Sequence, residues 1–148
     1  MKRALAVVDA DESTKQLVRE AGELAEAVGA ELVLLHVTSE EEYEEKRKTM
    51  EQIPSTSAVY SIQEAREGAE SFANDIGREV LEGLDVSYES VGAVGDEQNR
   101  ILETADKQDC DHLFIAGEKR SPAGKALFGD LTQSIILNFS GPVTVVTE

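Results

Sequence analysis

Five short apolar runs alternate with segments of helical periodicity, and this alternation limits the folds that the chain can adopt. Most of the runs are nearly continuous in apolar residues, as is typical of strands covered on both faces. They occupy residues 3–8, 31–37, 86–91, 112–116 and 142–147. The run at 86–91 alternates most with polar residues, which predicts a strand at an edge of the sheet.

The segments between these runs carry helix signals. Asp11 or Ser13 can cap the first helix, and Gly29 stands where a helix commonly ends. Ser39 begins a capping box and predicts a short exposed helix at 39–48, followed by a loop at 50–60. A long helix then begins near Ser61 and ends at Gly83.

The remaining segments complete the order of elements. Residues 92–95 predict a turn, Asp96 caps a short helix, and residues 130–138 form the last helix. Strands that alternate with helices predict an α/β fold with right-handed crossovers. We expect one domain over residues 1–148, an open doubly wound (Rossmann-like or flavodoxin-like) parallel sheet with helices on both faces. The five-stranded order expected is 3-2-1-4-5, which places the last strand at an edge.

Composition excludes some classes of partner. The chain has 30 acidic and 14 basic residues and a formal charge of −16, so it would repel nucleic acid and an acidic membrane surface. This balance is typical of proteins from a salt-rich cytoplasm, such as that of a halophilic archaeon. Cys110 is the single cysteine, and the first apolar run stops at Asp9, too early for a signal peptide. We therefore expect a cytoplasmic protein.

A long connection, residues 116–132, joins the fourth strand to the last helix. It contains Gly117, Gly124 and Gly129, and three cations, which are Lys119, Arg120 and Lys125. Glycine lets a backbone approach a ligand closely, and the N–H groups at a helix start favour anions. The segment therefore predicts a phosphate-binding loop, and the alternative is a flexible basic loop on the surface. It is not a Walker A loop, because Ala126 follows Gly124-Lys125.

Other chemistry is weakly signalled. His36 and His112 have no second ligand at metal-binding spacing, and no G-x-S-x-G elbow is present. In an open parallel sheet of this order, ligands bind at the carboxyl ends of the first and fourth strands. Asp9 lies there, either as a turn or capping residue or as a hydrogen-bond acceptor for a ligand.

Several of these segments together resemble the universal stress protein family, over essentially the whole chain. The segments are residues 6–9, 27–37, 91–95, 111–117 and 141–146. The resemblance implies an adenine nucleotide, ATP or else AMP or ADP, with or without Mg²⁺, and a role in stress response or signalling. It also implies a homodimer built through the last strand, Val143–Thr147, whose unprotected edge favours pairing with a second copy.

The nucleotide-binding branch of that family carries G-x-x-G, nine residues, then G-[ST]. By this resemblance, adenine would lie against Val7, Asp9 and Val37. The residues that would surround ribose and phosphates are Ala116, Gly117, Arg120, Gly129, Asp130, Leu131 and Thr132, with Lys119, Ser121 and Lys125 close by.

The chain departs from that motif at two positions. Arg120 replaces the second glycine and would either bind a phosphate through its guanidinium or fill the space. Asp130 replaces the Ser or Thr, would cap the last helix, and would repel a phosphate by about 1 kcal/mol unless Mg²⁺ joined the two. Two alternatives to ATP binding follow. One is a dimeric protein-interaction module that has lost nucleotide, and the other is a slow ATPase or phosphotransferase, for which no general base stands out.

Overall fold

Five parallel strands form the sheet, and its order is β3-β2-β1-β4-β5, as the sequence predicts. The computed structural model describes residues 1–52, 60–117 and 129–147. The elements are β1 (Arg3–Val7), α1 (Ser13–Val28), β2 (Glu31–Thr38), α2 (Glu40–Glu51), α3 (Ile62–Val80), β3 (Tyr88–Val94), α4 (Glu97–Lys107), β4 (His112–Gly117), α5 (Asp130–Asn138) and β5 (Val143–Thr147).

Each face of the sheet packs against its own pair of helices, which confirms the doubly wound arrangement. Ala4, Ala6 and Val8 pack with residues of α1 and α3 in one cluster. Leu5 and Val7 pack with residues of α4 and α5 in the other. Because successive side chains of a strand point to opposite faces, one apolar run supplies both cores.

The exposed helix α2 lies apart from both cores and contains no buried residue. The Ser39 side chain accepts a hydrogen bond from the Glu42 N–H at 3.2 Å, which confirms the predicted cap. The helix continues to Glu51, past its predicted end at residue 48. Residues 53–59, which hold most of the predicted loop, lie outside the described residues.

The start of α1 differs from its prediction. Neither Asp11 nor Ser13 caps it, because the residue at the cap position is Glu12, which already has helical backbone angles (φ −65°, ψ −26°). A capping side chain needs an extended backbone to reach the first-turn N–H groups. The helix ends as predicted at Gly29, whose φ of 73° is the left-handed conformation that glycine favours.

Strand β3 runs from Tyr88 to Val94 rather than over the predicted residues 86–91, so the turn expected at 92–95 is wrong for its first three residues. Gly92 pairs with His36 and Ala93 with Val37, so the strand continues to Val94. The reason for the glycine is packing. A Cβ on Gly92 would lie 2.1 Å from the Arg66 carbonyl oxygen and 2.5 Å from the Glu70 nitrogen. Helix α3 therefore rests directly on the backbone of β3.

None of the helices within residues 1–52, 60–117 and 129–147 has both the length and the apolar character needed to span a bilayer.

We predict that Gly92→Ala lowers the free energy of unfolding by about 1–3 kcal/mol, the usual cost of overpacking, because the added methyl must push α3 off the sheet. Gly68→Ala, a glycine-to-alanine change on helix α3 itself, is the control. A Cβ on Gly68 meets nothing within 4 Å, so this change should stabilise the protein by up to about 1 kcal/mol. Guanidinium unfolding of both variants measures the difference, and equal stabilities would contradict the close packing.

Candidate functional site

The carboxyl ends of β1 and β4 open onto a cavity of about 270 Å³, which we call the switch-point cavity. These two strands are neighbours in the sheet, and the crossovers that leave them run in opposite directions. The residues that line it are Asp9, Asp11, Ser13, Ala116, Gly117, Gly129, Thr132 and Val146. The topology therefore places a concave surface where this architecture binds ligands.

Hydrogen bonds hold the turn after β1 in place. The Asp9 N–H donates to the hydroxyl of Thr14, which is buried in the first turn of α1, at 2.7 Å. The Nδ1 nitrogen of His36 lies 2.6 Å from the Val8 carbonyl oxygen, so the ring donates its proton there. These bonds position the Asp9 carboxyl group at the cavity.

On the other side of the cavity, Thr132 ties α5 to β4. Its hydroxyl donates to the Ala116 carbonyl oxygen at 3.2 Å, and its side chain is buried. This bond supplies a hydrogen-bond donor to a carbonyl oxygen at the end of the strand. The first turn of α5 is thereby held against the carboxyl end of β4.

The predicted capping role of Asp130 is wrong. Gly129 is the residue before the helix, with extended backbone (φ −62°, ψ 163°), and within the described part of the chain no side chain caps α5. Asp130 is the first helical residue and is exposed, so its carboxylate contributes charge near the helix start rather than a hydrogen bond. The contrast with α2 and α4 is direct, because Ser39 and Asp96 cap those helices.

A second, wider cavity of about 620 Å³ lies at the same end of the sheet, on the other side of the first turn of α5. We call it the acidic cavity. The starts of α2, α4 and α5 surround it. Its lining consists of Ser39, Glu40, Glu41, Gly95, Asp96, Glu97, Gln98, Asp130, Leu131 and Ser134.

Negative charge dominates both cavities. Together, their described lining contains seven carboxylates, Asp9, Asp11, Glu40, Glu41, Asp96, Glu97 and Asp130, and neither Lys nor Arg. Crowding of like charges in a partly dry space disfavours ionisation. Because the described lining would repel an anion, an anion bound here needs a metal cation or basic side chains from outside that lining.

Two carboxyl groups in this acidic region have raised pKa values. Burial raises the pKa of Asp9, and the charges of Asp11 and Glu42 raise it further, while His36 acts in the opposite direction. Burial also raises the pKa of Glu97, and the next largest cause is the charge of Asp9. Asp9 and Glu97 therefore interact across the sheet end and hold protons more tightly than isolated carboxyl groups.

The structure brings together some of the residues that the sequence predicts for the site. Asp9, Ala116, Gly117, Gly129 and Thr132 line the switch-point cavity. Asp130 and Leu131 line the acidic cavity instead. Val7 and Val37 line neither cavity and pack in the core beneath α4 and α5. Lys119, Arg120, Ser121 and Lys125 lie outside the described residues.

The sequence reasoning missed several lining residues. Asp11, Ser13 and Val146 belong to the switch-point cavity, and most residues of the acidic cavity were not singled out for a site. A signal for some of them existed. Ser39 and Asp96 were recognised as caps, and helix starts that follow parallel strands all meet at one end of the sheet.

Metal binding by the protein alone finds no support among the described residues, where no group of three or more His, Cys, Asp or Glu is arranged to hold an ion. His36 donates to the Val8 carbonyl and packs against Phe72 with the rings tilted by 48° and 4.6 Å between their centroids. His112 forms a 2.7 Å hydrogen bond with the Thr144 hydroxyl. Both rings have structural partners.

The strand order and the cavity at the switch point define an α/β protein of the doubly wound class, with the layout of a ligand-binding sheet end. A model of the universal stress protein family matches residues 1–147. The chain belongs to that family.

Solved structures share the fold. A universal stress protein from Archaeoglobus fulgidus is 24% identical, with a TM-score of 0.66 and coverage of 98% of this chain and 97% of that one. A universal stress protein in complex with cAMP is 17% identical, with a TM-score of 0.64 and coverage of 99% and 96%. A universal stress protein from Archaeoglobus fulgidus in complex with dAMP is 19% identical, with a TM-score of 0.59 and coverage of 98% and 96%. No curated protein sequence matches the chain.

We predict that Asp9→Asn stabilises the nucleotide-free protein near neutral pH. A raised folded pKa means that the stability contributed by the protonated carboxyl is complete below the unfolded value of 3.8 and is lost as pH rises through the folded pKa. The advantage of the variant should therefore shrink as the pH falls towards 3.8. Urea unfolding at several pH values measures it.

Asp111→Asn is the control, and its effect should have the opposite sign. The backbone N–H groups of Lys2 and Arg3 lower the pKa of Asp111, so its stabilisation is present above 3.8 and is lost as the pH falls. This variant should be less stable than the parent at neutral pH. The idea of a crowded Asp9 fails if both substitutions destabilise the protein equally at neutral pH.

Proposed function

We propose that this chain binds an adenine nucleotide, ATP, at the switch-point cavity and acts as a regulatory or sensing module in a stress response. Membership of the universal stress protein family supports the proposal. Relatives of the same fold are in complex with cAMP and dAMP, both of which are adenine nucleotides. The cavity at the carboxyl ends of β1 and β4 supplies the place.

The single observation that carries the proposal is the uncapped start of α5 at this cavity. The Gln133 N–H donates to the Gly129 carbonyl oxygen at 3.0 Å, which is the first intrahelical bond of α5 among the described residues. The N–H groups of the preceding first turn lie beyond the reach of intrahelical acceptors, and no described side chain caps them. Such N–H groups bind phosphate oxygens.

The roles of the residues follow the family resemblance. Adenine would lie towards Val7, Asp9 and Val37, with the Asp9 carboxyl as a hydrogen-bond acceptor for the exocyclic amine. Ribose and phosphates would lie along the end of β4 and the start of α5. The residues assigned to that part are Ala116, Gly117, Gly129, Asp130, Leu131 and Thr132, with Lys119, Arg120, Ser121 and Lys125 from the connecting segment.

Charge makes cations necessary. The described lining of the two neighbouring cavities together carries seven carboxylates, so the triphosphate needs Lys119, Arg120 and Lys125, or a Mg²⁺ ion that it carries in, to offset repulsion. Mg²⁺ commonly binds through nucleotide phosphates and one or two carboxylates, and it keeps several waters. In this proposal Asp130, the first residue of α5, would be such a carboxylate.

Calorimetry with ATP, with and without Mg²⁺ and at low and high salt, tests the function. We expect heat of binding and a rise in Tm, because a ligand that binds only the folded state stabilises it. The matched comparison is GTP. Guanine carries a carbonyl oxygen in place of the adenine amine from which Asp9 would accept a hydrogen bond. Absence of heat and of thermal stabilisation under all conditions would contradict the proposal and favour a family member that works through protein contacts alone.

We predict that Asp130→Ser tightens ATP binding in the absence of Mg²⁺ by about fivefold, since removing one nearby carboxylate removes about 1 kcal/mol of repulsion. Asp106→Ser, at an exposed position on α4 away from both cavities, changes the net charge equally and should leave the affinity unchanged. The two dissociation constants are measured by the same calorimetry. Weaker binding by the Asp130 variant would show that the carboxylate assists the nucleotide.

We also propose that two copies pair through the free edge of β5. The Leu113 N–H bonds to the Pro142 carbonyl at 3.0 Å, which sets the phase of the β4–β5 ladder. In a parallel ladder alternate residues then point outward, so the N–H of Val145 faces the open side. Apolar side chains are exposed beside this edge, because Leu24 is 40% exposed and lines a groove with Val145.

We predict that Val145→Pro converts the dimer to a monomer, because proline removes the outward N–H while the bonds to β4 survive. Val145→Ala, which shortens the same side chain but keeps the N–H, is the matched control and should remain dimeric. Light scattering of both variants and the parent measures the mass. A dimer that persists in the proline variant, or a parent that is monomeric, would contradict pairing through β5.

A further inference from the structure

The opposite edge of the sheet, strand β3, has unpaired backbone groups. Leu32 donates to the Ser87 carbonyl and Gly95 donates to the Thr38 carbonyl, each at 3.0 Å, and these bonds bracket the β2–β3 ladder. In a parallel ladder alternate residues bond to the neighbour, so the intervening ones face outward. The residues that present N–H and C=O groups on the open side are Tyr88, Ser90, Gly92 and Val94.

Two helices turn this edge into a groove of about 260 Å³. Helix α3 packs on one face of β3 and α4 on the other, and each contributes polar side chains beside the strand. Residues 91–94 of β3 line the groove between the two helices. The shape suits a single extended chain lying alongside β3.

The charged residues of this groove are mainly basic, whereas the protein as a whole is acidic. Three cations, Arg66, Arg100 and Lys107, line it with one carboxylate, Glu103. The chain carries a formal charge of −16, so a local excess of positive charge is a marked departure. The three cations come from both walls, Arg66 from α3 and the others from α4.

These cations retain binding capacity. Arg66 is exposed and forms no ion pair within the described part of the chain. Glu103 is shared, since Arg100 and Lys107 each contact it at 2.7 Å. The Nε–H of Arg100 is buried and has no acceptor among the described residues. The hydrogen bond from Lys107 lowers the pKa of Glu103 and the charge of Arg66 lowers it further, so within the described lining one carboxylate serves three cations.

We propose that the β3 edge binds an extended acidic peptide segment of another protein, which adds to the sheet as a sixth strand. Its backbone would pair with the outward groups of Ser90, Gly92 and Val94. Side chains of a strand alternate between faces, so its carboxylates would reach Arg66 on one side and Arg100 and Lys107 on the other. Backbone pairing supplies affinity, and the cations select an acidic sequence.

Charge argues against the other occupants. A second copy related by a twofold axis would place the three cations of one β3 edge opposite the same cations of its partner. Nucleic acid carries a far denser negative charge than a short acidic peptide, so a chain of charge −16 repels it more strongly, and it offers no strand to pair with β3. The acidic peptide satisfies both the backbone and the cations.

The test uses the full chain and a fluorescein-labelled peptide, Val-Glu-Glu-Val-Glu-Glu-Val, acetylated and amidated at its ends. Fluorescence anisotropy should show saturable binding, whereas the same peptide with Gln in place of Glu, which keeps the backbone but lacks the charges, should bind at least about tenfold more weakly. A version methylated at every peptide nitrogen keeps the charges but cannot donate backbone hydrogen bonds. It should bind at least about tenfold more weakly.

Variants of the protein locate the site. The double variant Arg66→Ala/Lys107→Ala should weaken binding about tenfold. Arg19→Ala/Lys48→Ala, which removes one exposed Arg and one exposed Lys outside the groove, is the matched control and should leave it unchanged. Hydrogen exchange should slow at the Ser90 and Val94 amides when the acidic peptide is bound.

Three outcomes would overturn the proposal. Equal binding of the methylated peptide would show attraction without strand addition. Equal weakening by both double variants would show a general charge effect. Displacement of the peptide by duplex DNA with no protection of the β3 amides would assign the groove to polyanions rather than to an acidic strand.

Discussion

Burial of β1 on both faces is the constraint on which the rest of the structure depends. Ala4, Leu5 and Ala6 have no exposed surface, and β2 and β4 flank the strand on its two edges. A strand in this position needs helices above and below it, because each buried Leu side chain contributes about 1.5–3 kcal/mol only when it is covered. The crossover helices meet that need, and they also fix which strand ends meet at the switch point.

The site is an electrostatic compromise. Helix starts and a switch-point cavity favour an anion, yet the described lining presents carboxylates, and burial raises the pKa of Asp9 and Glu97. A cation offsets this repulsion most strongly at close range, because the Coulomb energy falls with distance and salt screens it further. This gives Lys119, Arg120 and Lys125 their importance in the proposed site.

The two edges of the sheet face different demands. Exposed apolar side chains lie beside β5, where Leu24 lines the groove. Cations from α3 and α4 flank β3 instead. The side chains beside an open strand edge decide which strand can pair with it. Lys or Arg beside the edge disfavours pairing with an identical edge. The proposed dimer and the proposed peptide site can therefore coexist on opposite edges of one sheet.

The sequence by itself determined the elements, their order and the strand order, because apolar runs with two buried faces and right-handed crossovers leave few topologies. It also identified Asp9, Gly117, Gly129 and Thr132 for the end of the sheet where the structure places them. Only the tertiary structure decided that Gly92 belongs to a strand, since its need arises from contact with the α3 backbone. The same holds for the start of α5, which no side chain of the described residues caps, and for the acidic cavity, because capping geometry and the convergence of separate helix starts depend on three-dimensional packing.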